Sequence, residues 1–395
     1  MTGQSSATFK NEVSDLKKEA SDLQHEVSDL AAKLGEAWEE LSLFYELSQS
    51  LVGNLDIEAA GRTLLQQARD RIDGEGAVIL LQTPEEPWKV LEQTQPLKGN
   101  EWLSGPEAQS LAGRILRRNR PLILNQLSDG AVWQGVPLPV HWRSLLAVPI
   151  NPKGSIQGIL LVWNKRKGPF TAGDGKLLSA IATLAGGTME SAFLYRRLSD
   201  TYQGILVSLA TAVDAKSRWT AGHSQRTTGY ALALAEYMNL PADYLEKVRT
   251  SGLLHDIGKI GVPDAILDKP SDLTPEEFEL MKQHPEIGYR ILQGIRQFHG
   301  DILDGVLYHH ERVDGRGYPK GLSGENIPFM GRLLAVADGF DAMISDRPYR
   351  PGKTKEEALE EIRTGAGTHW DKQLALKFVE MMKDRPLLKE DEINL

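Results

Sequence analysis

The stretch LLHDIGKIGVP at residues 253–263 places a histidine directly before an aspartate, at His255 and Asp256. A second stretch, HHERVDGRGYP at residues 309–319, begins with two adjacent histidines. Neutral imidazoles and carboxylates bind iron, manganese, zinc and similar divalent ions, and one aspartate can bridge two of them. The chain has no cysteine, so thiolate sites are excluded. Together the two stretches predict a centre for divalent metal ions.

More candidate ligands lie near these stretches. Most histidines of the chain fall within this part of it: His223, His255, His284, His299, His309 and His310. Taken singly, each could be an ordinary histidine on a helix surface. Asp338, however, ends the apolar run LLAVAD, where a buried carboxylate would be costly without a metal ion or another cation. The combined pattern therefore favours a metal site.

The hydrophobic patterns divide the chain into modules. Residues 45–195 alternate short β-rich runs with helical patterns and predict a mixed α/β domain. The runs at residues 145–150 and 156–163 predict a hairpin. A nearly uninterrupted helical pattern over residues 176–222 predicts a connecting signalling helix. Residues 205–385 contain no convincing strand pattern and predict an all-α domain.

The N-terminal segment carries a heptad pattern over residues 8–44. Apolar residues recur at heptad spacing in two registers. One register contains Val13, Ala20, Val27, Leu34 and Leu41, and the other contains Phe9, Leu16, Leu23, Leu30 and Phe44. β-Branched residues in one register opposite leucines in the other favour a parallel two-stranded coiled coil. The alternative is one amphipathic helix lying on its own domain. The coiled-coil interpretation predicts a parallel homodimer.

Composition limits the classes of function. A formal net charge of −9 argues against non-specific binding of nucleic acid. No apolar run reaches the roughly 20 residues that a membrane span requires. The first residues lack the layout of a secretory signal, and the absence of cysteine suits a reducing compartment. We therefore expect a cytoplasmic protein that binds no nucleic acid and has no membrane span.

The α/β segment resembles a GAF domain in the order of its elements. It has a helix, strands, a hairpin and then the stretch PFTAGD at residues 169–174, which leads into a long helix. The resemblance implies a domain that senses a small ligand or mediates dimerisation. The sequence does not select the ligand, although covalent bilin attachment is excluded without cysteine.

The C-terminal half resembles the HD-domain phosphohydrolases, and among them the HD-GYP subfamily. The resemblance rests on both stretches quoted above and on GHSQR at 222–226, HPEIG at 284–288 and GTHWD at 367–371. It implies metal-dependent hydrolysis of cyclic di-GMP to the linear dinucleotide, to GMP or to both. The metal ligands that it implies are His223, His255, Asp256, His284, His309, His310 and Asp338.

The resemblance also implies roles around the metal ions. Asp256 would be the bridging carboxylate, and Lys259 would neutralise charge on the phosphoryl oxygens. Arg347 and Arg350 would bind phosphate. The sequence has Trp219 where relatives with a third ion carry a glutamate, so two ions are expected, iron or manganese ahead of other divalent ions.

Three further residues are expected to act near the metal ions, namely Tyr318, Asp314 and Asp341. Tyr318 lies in a loop with two glycines and a proline, the composition of a preset turn, and would contact the substrate or belong to a surface for partner signalling domains. Asp314 in this loop and Asp341, three residues after Asp338, are expected to support ligands without being ligands.

Other functions stay open at this stage. The chain could be a cyclic di-GMP receptor without turnover, or a phosphodiesterase for another cyclic dinucleotide. It could also be a generic HD phosphohydrolase that acts on mononucleotides. The complete ligand set favours an enzyme, and the GYP stretch together with the sensor-like domain favours a cyclic dinucleotide.

Overall fold

The computed structural model describes residues 57–94, 101–150, 153–217, 221–346 and 351–388. The coiled-coil prediction for residues 8–44 lies outside these ranges. The chain divides into two compact units, residues 1–198 and 199–395, and the boundary falls within one long helix.

The first unit is an α/β domain. In chain order its elements are α1 (Ile57–Ile72), β1 (Gly74–Gln82), β2 (Lys89–Gln93), α2 (Glu101–Ser104), α3 (Pro106–Arg118), β3 (Leu122–Leu124), β4 (Val132–Trp133), β5 (Val136–Pro137), β6 (Leu145–Ile150), β7 (Gln157–Lys165) and the start of α4 (Ala172–Asp214). The mixed α/β fold predicted from the sequence is confirmed.

The sheet of this unit is antiparallel, in the order β2-β1-β7-β6-β3. Strands β6 and β7 pair from Leu145 opposite Trp163 to Ile150 opposite Gly158, the pairing that the hairpin prediction requires. Successive side chains of a strand point to opposite faces, so the apolar run of β1 serves two cores. One core contains α1 and part of α4, and the other contains α3 and the buried Trp142.

Helix α4 begins at a turn closed by Asp174. The Asp174 carboxylate accepts hydrogen bonds from the Thr171 amide (2.7 Å) and hydroxyl (2.9 Å) and pairs with Lys165 (2.6 Å). Burial raises the pKa of Asp174, but these bonds outweigh burial and lower it below its usual value. The stretch singled out at residues 169–174 is thus the start of the long helix.

Helix α4 is also long and apolar enough to cross a membrane, by length and composition alone. Several of its apolar side chains, among them Leu178, Ile181, Ala185 and Met189, are fully buried in the core of the first unit. The core helix of a globular domain passes the same test, so the apolar composition of α4 is weak evidence for a membrane span.

The second unit is helical. After the end of α4 its elements are α5 (His223–Tyr237), α6 (Ala242–Leu254), a 3₁₀ helix (Ile257–Gly261), α7 (Asp264–Leu267), α8 (Pro275–Met281), α9 (His284–Leu292), α10 (Asp301–Tyr308), a second 3₁₀ helix (Gly324–Asn326), α11 (Phe329–Ile344), α12 (Lys355–Gly365) and α13 (Lys372–Met382). In the described part of this unit, β pairing is limited to two isolated bridges. The all-α prediction is confirmed.

Helix α11 lies in the middle of this unit. Its apolar residues are buried on every side, as Met330, Leu333, Val336 and Phe340 illustrate, because α5, α10, α12 and α13 pack around it. A helix that is hydrophobic all round is typical of a buried position. A polar residue of α11 therefore lies in the protein interior, and Asp338 is such a residue, 9% exposed.

Candidate metal centre

Helix ends bring the predicted ligands together. His223 and His284 are the first residues of α5 and α9, His255 and Asp256 follow α6, and His309 and His310 follow α10, while Asp338 comes from α11. Close packing of the 3₁₀ helix on α9 is possible because residue 258 is glycine. A Cβ atom at Gly258 would lie 1.8 Å from the carbonyl oxygen of His284. Gly258, the first glycine of the HDIGKIG stretch, thus allows two ligand-bearing segments to pack closely.

Three of the histidines are oriented in the same way. The Nδ1 atoms of His255, His284 and His309 lie 2.6, 2.8 and 2.9 Å from the carbonyl oxygens three residues earlier in the chain. A carbonyl oxygen can only accept, so each Nδ1 carries the proton and donates it. In the neutral ring the Nε2 atom then has its lone pair free. All three rings present this lone pair towards Asp256.

The carboxylate of Asp256 lies between two groups of histidines. Its Oδ2 atom is 3.5 Å from Nε2 of His223 and 3.4 Å from Nε2 of His255. Its Oδ1 atom is 3.3 Å from Nε2 of His284 and 3.9 Å from Nε2 of His309. Each carboxylate oxygen therefore faces a different group of histidines.

Asp338 and His310 complete the cluster. Oδ1 of Asp338 is 3.2 Å from Nε2 of His223 and 3.9 Å from Nε2 of His255, and its Oδ2 is 3.7 Å from Nδ1 of His310. The side chain of His310 is 27% exposed. The structure thus brings all seven sequence-predicted ligands into one cluster.

The cluster fits divalent metal ions. Nε2 of His255 and Oδ1 of Asp256 are buried and have no hydrogen-bond partner, although buried polar atoms are normally satisfied. Ligand atoms of one ion, each about 2.0–2.2 Å from it, lie roughly 3.0–3.6 Å apart, close to the separations around Asp256. Within the described residues two potential ligand groups occur, Asp256 with His284, His309 and His310, and Asp256 with His223 and His255. Divalent metal binding accounts for both unsatisfied atoms.

The charges of the cluster follow from burial and neighbours. Burial raises the pKa of Asp256, but the positive charges of Lys259 and His255 outweigh burial and hold this pKa well below its usual value. For His223, burial lowers the pKa, but hydrogen bonds to Asp338 and Asp341 outweigh it and raise the pKa to about 10. Burial lowers the pKa of His310 to about 3. The centre therefore contains ionised carboxylates and at least one neutral imidazole before any metal binds.

Asp341 holds the ring of His223 in place. This aspartate is fully buried (0% exposed) and accepts a hydrogen bond from Nδ1 of His223 at 2.8 Å. It also accepts from Nε of Arg226 at 2.8 Å and from a terminal nitrogen of Arg226 at 3.1 Å. The structure therefore places Asp341 next to a predicted ligand without making it one.

Replacing Asp341 by asparagine is expected to weaken metal binding about 10- to 100-fold, because the amide accepts more weakly from His223 and no longer neutralises Arg226. Metal titration by isothermal calorimetry measures this effect. The matched control is Asp243→Asn, an exposed aspartate of α6. Unchanged metal affinity in the Asp341→Asn variant, with the fold intact, would contradict this role.

Two residues near His223 were not singled out from the sequence. Arg226 was part of a quoted stretch but received no role, and its partner Asp341 is 115 residues away. Asp214, at the end of α4, is 3% exposed and accepts hydrogen bonds from the amide (3.0 Å) and hydroxyl (2.8 Å) of Ser224. No local pattern signals this contact, which holds the first turn of α5 and with it His223.

Lys259 and Tyr318 flank the centre. The ammonium of Lys259 forms an ion pair with Asp256, and the Lys259 side chain is 18% exposed. The ring of Tyr318 lies 4.8 Å from that of His310. Both line a cavity of about 400 Å³ that opens over His223, Asp256 and Asp338. A ligand in this cavity would contact both side chains and the metal centre.

The loop that carries Tyr318 is held by a buried glutamate that the sequence analysis missed. Glu311, 3% exposed, accepts hydrogen bonds from the amides of Lys320 (2.6 Å) and Leu322 (2.9 Å). Asp314 accepts from Arg312 at 2.7 Å and from the amide of Arg316 at 3.0 Å. Asp314 therefore stabilises the loop. Arg347, Arg350 and Trp219 lie outside the described residues.

Comparison with known proteins identifies the two units. Residues 54–190 match the GAF domain family, and residues 208–374 match the HD domain family. The chain thus contains a GAF domain followed by an HD domain, and both assignments made from the sequence are confirmed.

Particular relatives match part of this chain. A cyclic di-GMP phosphodiesterase of Thermotoga maritima is 44% identical over 169 residues, which are 42% of this chain and 45% of the relative. A 3′3′-cGAMP-specific phosphodiesterase 2 of Vibrio cholerae is 36% identical over 202 residues, or 51% of this chain and 39% of the relative. A solved HDG"Y"P protein of Bdellovibrio bacteriovorus is 17% identical with a TM-score of 0.38, covering 67% of this chain and 99% of that protein. This chain spans less than half of the length of the two phosphodiesterases.

Proposed function

We propose that this chain is a metal-dependent phosphodiesterase for a cyclic dinucleotide, with cyclic di-GMP as the preferred substrate. The observation that carries the proposal is the Asp256 carboxylate, whose two oxygens face two different groups of histidines. The names of the relatives that match part of this chain support the substrate class. Because one of them is specific for 3′3′-cGAMP, that dinucleotide is the second candidate substrate.

The metal ligands in this proposal are those of the cluster: His223, His255, Asp256, His284, His309, His310 and Asp338. The nitrogen and oxygen donors suit iron or manganese, and the two ligand groups around Asp256 suit two ions. When bound, such ions lower the pKa of water and stabilise negative charge on a phosphoryl group.

The side chains of this chain have the remaining tasks. In the overall reaction, the water oxygen bonds to phosphorus, the bond from phosphorus to the 3′ oxygen breaks, and a proton ends on that 3′ oxygen. Lys259 neutralises charge on the phosphoryl oxygens from its position beside Asp256. Arg347 and Arg350 bind the phosphates through their forked donors. Tyr318 forms one wall of the substrate cavity.

Product analysis tests this function. The protein is loaded with Mn²⁺ or Fe²⁺ and incubated separately with cyclic di-GMP, 3′3′-cGAMP and dGTP, and the products are resolved by chromatography. We expect cyclic di-GMP to be converted fastest, to the linear dinucleotide, to GMP or to both, and chelation to stop the reaction. Tight binding without turnover would instead identify a receptor. Turnover of dGTP alone would identify a mononucleotide phosphohydrolase.

We further propose that the enzyme is a cytoplasmic parallel homodimer regulated by a ligand of its GAF domain. The support is the heptad pattern of residues 8–44 and the match to the GAF family. The loop around Tyr318 is a candidate surface for partner signalling domains.

Replacing Leu16, Leu23 and Leu30 together by glutamate is expected to convert the dimer to monomers, because these leucines occupy one register of the proposed seam. Light scattering measures the mass, and turnover measured alongside shows whether assembly affects catalysis. The matched control replaces Ser14, Ser21 and Ser28, on the outer positions of the same heptads, by glutamate. A dimer that persists equally in both triple variants would exclude the coiled coil as the organising element.

A further inference from the structure

A second cavity adjoins the metal centre and is lined by His309, His310 and Asp338 of the cluster. Its volume is about 470 Å³, and it shares Phe278, His310, Tyr318, Asp338 and Ala342 with the cavity over the centre. Each cavity is within the usual size range of a small-molecule site. A cyclic dinucleotide has two nucleosides joined through two phosphates, so a phosphate at the metal centre places one nucleoside on either side of it. The two cavities match this layout.

Lysine and arginine side chains line the second cavity together with the carboxylates of Glu311, Asp338 and Glu361, and within the described residues one of these cations forms no salt bridge. Lys282 pairs with Glu279 at 2.5 Å, and Arg312 pairs with Asp314 at 2.7 Å. Arg316 lines the same cavity, is exposed, and forms no salt bridge with any residue in the described ranges. Its guanidinium donors are therefore available to a ligand.

The walls of this cavity suit a purine base. The ring of His369 lines the cavity and is stacked, at 4.2 Å and an interplanar angle of 9°, on the ring of Trp370, which is only 4% exposed. Tyr318 and Phe278 contribute aromatic rings at the boundary with the first cavity. Flat aromatic surfaces hold bases by stacking, which does not distinguish one base from another. Discrimination between bases must come from polar groups, and Arg316 is positioned to supply it.

We propose that the second cavity binds a guanine base of the substrate and that Arg316 selects it by donating two hydrogen bonds to O6 and N7. This inference rests on the proposed function and extends it to the choice of base. Guanine presents two acceptors on this edge, and arginine is the side chain that matches them. Adenine presents N7 and an amino group, and the amino group would face another donor. Arg316 is thus a specificity-determining residue.

The proposal predicts which bond of a mixed dinucleotide breaks. Hydrolysis of 3′3′-cGAMP can break either of two bonds between phosphorus and a 3′ oxygen, and each choice gives a different linear isomer. With guanine held in the second cavity, only one of the two phosphates lies at the metal centre. The enzyme therefore produces mainly one isomer, whereas an enzyme without base selection in this cavity produces both.

The test compares the wild-type protein with Arg316→Gln and with the control Arg296→Gln, an exposed arginine that lines neither cavity. Initial hydrolysis of 3′3′-cGAMP is analysed by chromatography of the two isomers. Binding of GMP, IMP and AMP to the metal-loaded protein is measured by calorimetry. IMP is informative because it has the O6 and N7 acceptors of guanine but lacks its 2-amino group.

We expect the wild type and Arg296→Gln to form one isomer in about 10-fold excess or more, and to bind GMP and IMP about 10- to 100-fold more tightly than AMP. In Arg316→Gln the isomer ratio should approach one, and the three nucleotides should bind alike. An unchanged isomer ratio in Arg316→Gln, or equal binding of GMP and AMP by the wild type, would overturn the proposal. So would an equal loss of affinity for all three nucleotides, which would indicate a phosphate contact.

The two proposals fail in different ways. If no cyclic dinucleotide is hydrolysed, the proposed function is wrong, and the calorimetric comparison of GMP, IMP and AMP still tests the base site. If cyclic di-GMP is hydrolysed and Arg316→Gln retains the wild-type preference among bases, the proposed function stands and the role of Arg316 is wrong.

Discussion

Replacing Asp256 by alanine is expected to abolish hydrolysis and to remove at least one metal ion. Its carboxylate faces both groups of histidines, so its loss deprives each proposed ion of an oxygen ligand. It also leaves the ammonium of Lys259 without its partner. A loss of several kcal/mol of transition-state stabilisation corresponds to a decrease in kcat of about a thousandfold or more.

The measurement combines kcat with metal content determined by mass spectrometry of the purified protein. Asp256→Asn keeps the shape of the side chain and separates loss of charge from loss of volume. Asp200→Ala is the control, since Asp200 is exposed on α4. Near-normal turnover with full metal content in Asp256→Ala would refute the bridging role.

Replacing Gly258 by alanine is expected to lower the free energy of unfolding by about 2–4 kcal/mol and to disrupt the centre. The added Cβ would lie 1.8 Å from the carbonyl oxygen of His284 and 2.5 Å from the amide nitrogen of Gly288. Both contacts are backbone atoms that cannot rotate away, so the 3₁₀ helix must separate from α9. Asp256 and His284, one on each side of this contact, would then move apart.

Chemical denaturation and metal titration measure the two effects. Gly294→Ala provides the matched control, because a Cβ atom there has no neighbouring atom within 4 Å. The control should retain wild-type stability and metal binding. If Gly258→Ala were as stable as Gly294→Ala and bound metal equally, the close contact would not be what brings these ligands together.

Much of the fold was already determined by local patterns in the sequence. The change from short β-rich apolar runs to helical periodicity separates the α/β domain from the helical domain, because strands and helices bury their side chains with different repeats. The candidate ligands could be found in the same way. His255 and Asp256 are adjacent in the chain, and the charge of Asp338 stands out within an apolar run.

Tertiary structure decided how these residues act together. That the two oxygens of Asp256 face His223 and His284 depends on packing between helices, which no local spacing specifies. The pairing of Asp341 with Arg226 joins residues 115 positions apart. Predictions for residues 8–44, Trp219, Arg347 and Arg350 remain predictions from sequence.

The second cavity shows most clearly what local spacing in the sequence does not specify. Arg316 lies in a stretch that the sequence analysis quoted, yet nothing in that stretch distinguishes it from an ordinary exposed arginine. Its significance comes from the stacked His369 and Trp370, more than 50 residues later, which line the same space. Residue types and periodicities therefore identified the chemistry and the fold class of this protein. The shape of its site was decided by long-range packing, because contacts between distant segments form only when the whole domain folds.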